Sequence, residues 1–278
     1  MILVNGHIGT QIDISDRGLQ YGDGVFETLV FRANTVEFLE AHLARLQQGC
    51  ARLAITFNAW PQLRAELQQV CDTLEGQQAV IKIIITRGRG TRGYRIVEDR
   101  RATRIISTHP MPVYPVTYSE QGICIRICQH RLSVNPALAG IKHLNRLDQV
   151  LARNEWQDTE IAEGIMLDQQ DNVIEGTMSN LFMINAGRLL TPSLRLAGIA
   201  GIIRQRIIQW ATAQSIPVEE TVMTVSDLLK ADEIFMCNSV IGIWPVSRII
   251  DEDAVYLPGR ITRACQTWLK QVEHTCAG

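Results

Sequence analysis

The sequence lacks both a strong net charge and a long apolar run. Its 278 residues include 27 Lys and Arg against 29 Asp and Glu, which gives a formal net charge of -2. So small a charge provides neither a basic field for nucleic acid nor an acidic tail. No stretch reaches the roughly 18 apolar residues that a membrane helix needs. Residues 1–18 also lack the cationic start of a signal peptide, so neither a membrane nor a nucleic-acid partner is expected.

Paired cysteines are missing as well. The seven cysteines are an odd number, they are scattered through apolar segments, and no C-x-x-C occurs. This pattern disfavours a disulfide framework and predicts small core residues in a reducing, cytoplasmic compartment. Cys128 and His130 leave a zinc site open as an alternative, although other spaced ligands are lacking and no metal is expected.

What is present is an ordinary globular composition, 46% hydrophobic and 20% charged, enough for one large domain or two modest ones. Strand and helix patterns alternate along the chain. Three prolines in HPMPVYP, residues 109–115, cannot continue a helix or a central strand. We therefore predict two α/β lobes joined by a short proline-rich link.

Several helices follow from apolar periodicity. The apolar spacing at steps of three and four predicts a helix over 39–55 whose core face is formed by Leu39, Leu43, Leu46, Cys50 and Leu53. Another is predicted after Lys142, with an apolar stripe formed by Leu144, Leu147, Val150 and Leu151. Ser226 is expected to cap a short helix, and Pro258 to begin the last one.

The segment GRGTRG, residues 88–93, matches G-x-G-x-x-G after a strand. Dinucleotide binding would require a helix to open there and an acid about twenty residues further on. A charge-rich and then strand-like segment follows instead, so no helix N-terminus is available for a pyrophosphate. The guanidinium groups on this loop would bind carboxylates, with a solvated hairpin as the alternative. They belong to Arg87, Arg89, Arg92 and Arg95.

Lys142 stands between a Gly-Ile step and an amphipathic run. A lysine held out of bulk water has a lowered pKa and becomes a nucleophile or base. Its commonest covalent use is a Schiff base with a carbonyl substrate or with pyridoxal phosphate. That cofactor needs an acid beside its ring nitrogen. Its phosphate needs N–H donors at a helix start and a cation.

The chain offers a candidate for each of these groups. Glu175 ends an apolar strand and would meet the ring, and Arg45 would meet the phosphate. Each also has a structural alternative, an edge-strand residue for Glu175 and a solvated side chain for Arg45. The other candidates lie at a helix mouth or a strand end and are Gly198, Gly201, Ile202, Ile203, Asn238 and Ser239.

Taken in chain order, these segments resemble the fold-type IV pyridoxal-phosphate enzymes, a resemblance that runs from residue 1 to at least residue 248. The similar segments are YGDGVFE (21–27), HLARL (42–46), RGRGTRGY (87–94), GIKHLNRLDQVLAR (140–153), EGTMSN (175–180), GIAGIIR (198–204) and CNSVIGIWPV (237–246). The family contains branched-chain and D-amino-acid aminotransferases and aminodeoxychorismate lyases. The fourth segment and the arginine loop are most similar to the lyases, whereas YGDGVFE and EGTMSN are shared more widely.

The resemblance implies a role for each site residue. Lys142 would carry the cofactor covalently, and Glu175 would pair with its ring nitrogen. The phosphate site would comprise Arg45, Gly201, Ile202, Ile203 and Ser239, with Asn180 and Asn238 close by. Tyr21, Phe26 and Thr28 would line the substrate side, Thr28 would assist the chemistry, and Arg92 and Tyr94 would contact substrate carboxylates.

The resemblance also implies a fold and a reaction. The fold is α/β (α+β), with a small lobe over 1–108, a linker over 109–117 and a larger pseudo-barrel lobe over 118–278, assembled as a homodimer. The expected reaction cleaves 4-amino-4-deoxychorismate to 4-aminobenzoate and pyruvate, a step toward folate. A D-amino-acid or branched-chain aminotransferase is the first alternative. A non-catalytic pyridoxal-phosphate-binding protein is the second.

Overall fold

The computed structural model describes residues 1–96 and 101–275, with 273–275 by their backbone alone, and the chain forms two compact units. Unit 1 comprises Met1–Pro112, Ile141–Asn145 and the residues from Glu273 onward, and unit 2 comprises Val113–Gly140 and Arg146–Val272. The residues around Lys142 thus group with the N-terminal part of the chain, although the family resemblance implies one lobe over 118–278. A linker over 109–117 stays a prediction.

Unit 1 is built on an antiparallel six-stranded sheet. Its strands are β1 (Ile2–Val4), β2 (His7–Ile8), β3 (Gly24–Arg32), β4 (Thr35–Val36), β5 (Ala79–Thr86) and β6 (Thr103–Pro110). They lie in the order β2-β1-β6-β5-β3-β4. Ala33 and Asn34 form the turn between β3 and β4, with φ of 50° and 59°. A two-residue turn of this kind needs positive φ at both positions.

The helices of unit 1 are α1 (Arg17–Tyr21), α2 (Leu39–Arg52) and α3 (Trp60–Asp72). The predicted core face of α2 is confirmed, because Leu43, Leu46 and Cys50 are buried in one cluster with Leu29 of β3 and Leu63 of α3. Each fully buried leucine contributes roughly 1.5–3 kcal/mol. Packing α2 on β3 also brings polar side chains of the two elements together, as described below.

Unit 2 contains a nine-stranded mixed sheet. Its strands are β7 (Ile123–Leu132), β8 (Ile161–Asp168), β9 (Val173–Gly176), β10 (Asn180–Asn185), β11 (Arg188–Pro192), β12 (Val218–Thr221), β13 (Glu233–Asn238), β14 (Gly242–Ile249) and β15 (Ala254–Val255). The order is β12-β11-β10-β13-β14-β7-β8-β9, with β15 on β14. The end strand β9 returns to the interior strand β10 through the short loop 177–179, where Gly176 N donates to Ser179 O at 2.7 Å. The sheet therefore curls on itself, which confirms the expected pseudo-barrel.

The helices of unit 2 are α4 (Thr117–Glu120), α5 (Leu147–Arg153), α6 (Ile202–Ala213), α7 (Val225–Leu228) and α8 (Arg260–Thr275), with a 3-10 helix over Ile250–Glu252. Trp210 of α6 stacks on Trp268 of α8 at 5.7 Å. The cap of α7 is Thr224, not the predicted Ser226, because Thr224 and Asp227 form a capping box. The last helix begins at Arg260, two positions after Pro258.

The helix predicted from Lys142 onward is wrong in its start and in its buried face. Lys142 O accepts from Phe26 N, and Leu144 N donates to Gly24 O, both at 3.0 Å. These ladder bonds to β3 use the groups that a helix would need, so the segment is extended and α5 begins only at Leu147. The supposed core residues on α5 are exposed: Leu147 by 74%, Val150 by 59% and Leu151 by 54%.

The described cysteines are all free thiols, and Cys276 lies outside the described residues. Burial raises the pKa of the Cys128 thiol to about 12, as expected of a core residue. His130 Nε2 pairs with Asp148 Oδ1 at 2.9 Å. Among residues 1–96 and 101–275, no three His, Cys, Asp or Glu side chains are grouped so that they would hold a metal ion. No helix in that part of the chain is long and apolar enough to span a membrane.

Candidate active site

Lys142 lies in unit 1 beside an aromatic ring. Its Nζ is 4.4 Å from the centroid of the Phe26 ring, which is within cation–π distance. The lysine is half-buried, and its neighbours Ile141 and His143 are buried. With its carbonyl bonded to Phe26 N, the main chain fixes the point from which the amine projects.

Strand β3 presents Phe26 and Thr28 on one face, because alternate residues of a strand point to opposite faces. Both side chains are half-buried. In register with Thr28 on β5 stands Lys82, whose Nζ is 5.1 Å from the Phe26 centroid. Phe26 therefore contacts two lysines. Lys82 was not among the predicted residues, and its only sequence signal is a charge inside the β-branched run AVIKIIIT.

On the other face of β3, Glu27 is fully buried and binds two residues of α2. One carboxylate oxygen accepts from Arg45 Nε at 2.7 Å. The other accepts from Arg45 Nη2 at 2.5 Å and lies 2.7 Å from His42 Nδ1. Only 11% of the Arg45 side chain is exposed, so the solvated alternative for this arginine is wrong.

The electrostatics of this cluster fix its protonation. Burial alone would raise the pKa of Glu27, but the hydrogen bonds and charge of Arg45, with the hydrogen bond of His42, hold the pKa below its usual range. Burial lowers the pKa of His42, and the charges of Arg45 and Lys142 lower it further against the pull of Glu27. His42 is therefore neutral at pH 7. An ionised carboxylate only accepts hydrogen bonds, so the Nδ1 of His42 carries the proton that is donated to Glu27.

The arginine loop is formed by residues 87–94 and is followed by Arg95. Its four predicted guanidinium groups are not all available to a ligand. Arg87 donates to both oxygens of Asp23 at 2.7 and 3.0 Å. Arg89 lies 3.1 Å from Asp13. These two are held by the protein itself. Arg89 is exposed despite this pair, as are Arg92 and Arg95, whereas Arg87 is half-buried.

The same loop holds two of the predicted substrate residues near each other. The rings of Tyr21 and Tyr94 meet edge to face at 5.4 Å. No helix opens within residues 88–96, which agrees with the rejection of a dinucleotide site on G-x-G-x-x-G. Tyr21 lies at the end of α1, whose C-cap Gly22 has φ of 65° and receives the chain in a left-handed turn.

In unit 2, Glu175 lies on β9 and is 3% exposed. Its Oε2 accepts from the backbone N–H of Ile199 at 2.7 Å, and its Oε1 accepts from Gln149 Nε2 at 3.4 Å. Gly198 has φ of 87°, and a Cβ there would lie 3.3 Å from Glu175 Oε2. The backbone therefore approaches the carboxylate closely and holds it in place.

Ile199 also joins Glu175 to Asn180, because Asn180 Nδ2 donates to Ile199 O at 2.9 Å. Gly201 stands at the N-cap of α6 and gives it no side-chain cap. A Cβ at Gly201 would come within 2.0 Å of Asn180 Oδ1, so any side chain there would have to displace the Asn180 amide or the helix start. The N-terminal turn of α6 thus begins beside Asn180 with the backbone N–H groups that the predicted helix mouth requires.

Arg146, directly before α5, was missed by the sequence pattern. Burial lowers the pKa of its guanidinium, while the charges of Glu175 and Asp148 oppose that shift. Arg146 is therefore within electrostatic reach of Glu175, and a nearby cation favours the ionised carboxylate. An arginine in an amphipathic run carries no sequence signal for such a position.

Asn238 lies at the end of β13, and its side chain forms hydrogen bonds with backbone groups of the protein. Its Nδ2 donates to Met178 O at 2.9 Å, and its Oδ1 accepts from Val240 N at 2.8 Å and Ile241 N at 2.9 Å. These bonds shape the turn into β14 and tie it to loop 177–179. Ser239 is half-buried in that turn.

Loop 177–179 rests on Glu163, another buried acid that the sequence pattern did not reveal. Its carboxylate accepts from Thr177 N at 3.1 Å, from Met178 N at 3.2 Å and from the Ser179 hydroxyl at 2.7 Å. Through these bonds the carboxylate holds the loop that links β9 to β10.

The chemistry of these residues fits pyridoxal phosphate. Within unit 1, Lys142 offers an amine and Arg45 offers a guanidinium fork. Within unit 2, taken by itself, Glu175 offers a buried carboxylate and Gly201 a glycine-led helix start. An acid for the ring nitrogen, with backbone N–H groups and an arginine for the phosphate, is the donor set that this cofactor requires. The individual roles stay predictions.

Residues 24–249 match the family model for amino-transferase class IV. A relative from Vibrio harveyi named aminodeoxychorismate lyase is 38% identical over 269 residues, which cover 96% of this chain and 98% of the relative.

The chain also resembles solved structures of a lyase and of an aminotransferase. The 4-amino-4-deoxychorismate lyase from Pseudomonas aeruginosa superposes with a TM-score of 0.92 at 44% identity, covering 98% of both chains. The branched-chain amino acid aminotransferase from Escherichia coli superposes with a TM-score of 0.86 at 26% identity, covering 97% of this chain and 93% of its own. Lyase and aminotransferase thus share this fold.

Proposed function

The chain belongs to the amino-transferase class IV family, and we propose that it is the lyase that cleaves 4-amino-4-deoxychorismate to 4-aminobenzoate and pyruvate, a step toward folate. The supporting observation is the lyase match at 44% identity over 98% of both chains, against 26% for the aminotransferase. Similarity of this extent includes the segments around Lys142 and the arginine loop, which resemble lyases most.

The enzyme depends on pyridoxal phosphate, which when bound supplies an aldehyde for covalent attachment and a ring that withdraws electrons. Lys142 Nζ would hold the cofactor covalently, and Glu175 would pair with its ring nitrogen. Arg146, whose charge interacts with Glu175, would favour the ionised form of that carboxylate. Arg45, Gly201, Ile202, Ile203 and Ser239 would bind the phosphate, with Asn180 and Asn238 close by.

The chain's own groups then carry out an elimination. Lys142 Nζ would act as the base that removes the proton from the carbon that bears nitrogen. The bond from the neighbouring ring carbon to the ether oxygen breaks. The proton taken up by Lys142 would then pass to that oxygen through the hydroxyl of Thr28, so that the lysine and the threonine both end as they began. The departing enol becomes pyruvate, and the ring that remains is aromatic. Arg92 and Tyr94 hold the substrate carboxylates.

The reaction is tested by incubating the purified holoenzyme with 4-amino-4-deoxychorismate and no added keto acid. Equal amounts of pyruvate and 4-aminobenzoate are expected. A D-amino-acid or branched-chain aminotransferase would release no product until a keto acid was supplied with its amino acid. A non-catalytic binding protein would show the cofactor absorbance and no turnover with any amine.

We also propose that the chain forms a homodimer. Leu147, Val150 and Leu151 expose large apolar side chains along α5, and water contact at such a patch is unfavourable. Light scattering is expected to give a molar mass of twice that of the chain. The variant Val150→Lys is expected to lower this mass. A monomeric wild type would refute the proposal.

A cytoplasmic location is proposed as well. The described cysteines are free, and free thiols are typical of a reducing compartment. Cell fractionation checks this, and recovery of the protein outside the cytoplasm would contradict it.

A further inference from the structure

Arg17 is a buried arginine at the start of α1 that no sequence motif points to. It is 6% exposed. Its Nε donates to Asp23 Oδ2 at 2.8 Å, its Nη1 donates to Gly93 O at 3.0 Å, and its Nη2 donates to Tyr94 O at 3.3 Å. One guanidinium therefore joins α1 to the far end of the arginine loop.

Packing around Arg17 supports the same link. A Cβ at Gly90 would lie 2.7 Å from Arg17 Cγ, so the loop passes directly over the arginine stem. The guanidinium carbon lies 4.9 Å from the centroid of the Tyr21 ring, and Tyr21 in turn meets Tyr94. Arg17 thus contacts both the backbone of the loop and the tyrosine on which Tyr94 packs.

The segment that carries Arg17 is anchored to the sheet. Asp16 is 1% exposed and caps α1 by accepting from Gly18 N at 2.8 Å. Its other oxygen accepts from Thr86 Oγ1 at 2.9 Å and from Thr103 Oγ1 at 2.7 Å. The loop side chains, by contrast, are exposed at Arg92 and at Tyr94, the latter by 83%.

We propose that Arg17 is a positioning residue, which clamps the arginine loop so that Arg92 and Tyr94 meet the carboxylates of the substrate. Carbonyl oxygens bonded to a charged donor are held more firmly than those bonded to a neutral one. The identity of the substrate rests on the proposed function, whereas the clamp itself stands on the contacts of Arg17.

Loop order is measured first, without substrate, by trypsin cleavage after Arg92 and Arg95 under native conditions, with the cut sites identified by mass spectrometry. The variants are Arg17→Met and Arg17→Lys. The matched control is Arg104→Met, which removes another partly buried arginine of unit 1, paired with Glu66. Cleavage in the loop is expected to be about tenfold faster in Arg17→Met, since an unclamped loop opens locally. The cleavage rate of Arg17→Lys is expected to lie between those of wild type and Arg17→Met. Arg104→Met is expected to be cleaved at the wild-type rate.

Steady-state kinetics with 4-amino-4-deoxychorismate provide the second measurement. Misplacing substrate-binding groups is expected to raise KM about tenfold in Arg17→Met while kcat changes far less. The absorbance of the bound cofactor should not move. A protein that was simply destabilised would lose kcat and cofactor together.

Unchanged loop cleavage in Arg17→Met would overturn the clamp. Faster cleavage with an unchanged KM, or an equal rise in Arg104→Met, would overturn the positioning role. If wild type fails to turn over 4-amino-4-deoxychorismate, the proposed function fails, and trypsin cleavage still decides whether Arg17 holds the loop.

Discussion

Arg45 is held by Glu27 through two hydrogen bonds, from Nε and from Nη2, that together use both carboxylate oxygens. The acid comes from β3 and the arginine from α2, so packing the helix on the sheet creates the pair. The fork of Arg45 is planar and rigid, and this attachment therefore fixes the direction of the whole guanidinium. A residue proposed to bind phosphate is thus oriented by the fold before any ligand arrives.

Glu27→Gln is expected to destabilise the protein strongly. The amide carries no charge to balance Arg45, and breaking a buried ion pair costs about 3–5 kcal/mol. Urea unfolding at neutral pH measures the loss. The matched control is Glu40→Gln on α2. Glu40 forms an exposed ion pair with Arg64, which contributes about 0–1 kcal/mol. Equal effects of the two changes would contradict the structural role of Glu27.

Stability should fall in acid through Asp23. Burial alone would raise the pKa of this carboxyl, but hydrogen bonds from Arg87 and Arg17 hold the pKa below its ordinary 3.8. The stabilisation is therefore fully present above the unfolded-state value and is lost as pH falls through the depressed folded-state value. The advantage of wild type over Asp23→Asn in urea unfolding is expected to shrink between about pH 6 and about pH 3. A constant difference would refute it.

Thr28→Val removes one hydroxyl and keeps the shape of the side chain. If Thr28 delivers the proton to the leaving oxygen, kcat should fall by about 10²- to 10⁴-fold. The cofactor absorbance should stay unchanged. Thr267→Val, at an exposed position of α8, serves as the control. A normal kcat in Thr28→Val would remove this residue from the mechanism.

Gly201→Ala places a methyl group against Asn180 Oδ1 at the start of α6. Either the Asn180 amide or the helix start must shift, and each change would disturb the groups proposed to surround the phosphate. We expect the affinity of the apoenzyme for pyridoxal phosphate to fall by about tenfold, which is 1.4 kcal/mol. Titration by absorbance measures it. Gly9→Ala, where a Cβ meets nothing within 4 Å, should bind normally, and equal affinity in both variants would exclude the phosphate site.

Local pattern was enough to predict part of the fold. The apolar spacing along α2 marks its buried face, which packs in one cluster with residues of β3 and α3. The same spacing was misleading along α5. Periodicity shows that Leu147 and Val150 share one face, but it does not show whether that face meets the core or a partner.

The site divides in the same way. Lys142 and Glu175 stand out because each places a charge where the local sequence is otherwise apolar or tightly turned. Lys82 and Glu163 are also charged residues in largely apolar strands. The place of Lys82 beside Phe26 follows from strand register, and the role of Glu163 follows from the loop that it binds. Such long-range pairings leave no mark in a single sequence.

Borohydride reduction followed by peptide mass spectrometry most directly tests whether Lys142 carries the cofactor. The yellow protein should bleach, and the added mass should be found on Lys142 and not on Lys82, the other lysine beside Phe26. Lys142→Ala should show no adduct and no turnover. An adduct on Lys82, or a near-normal rate in Lys142→Ala, would contradict the assignment.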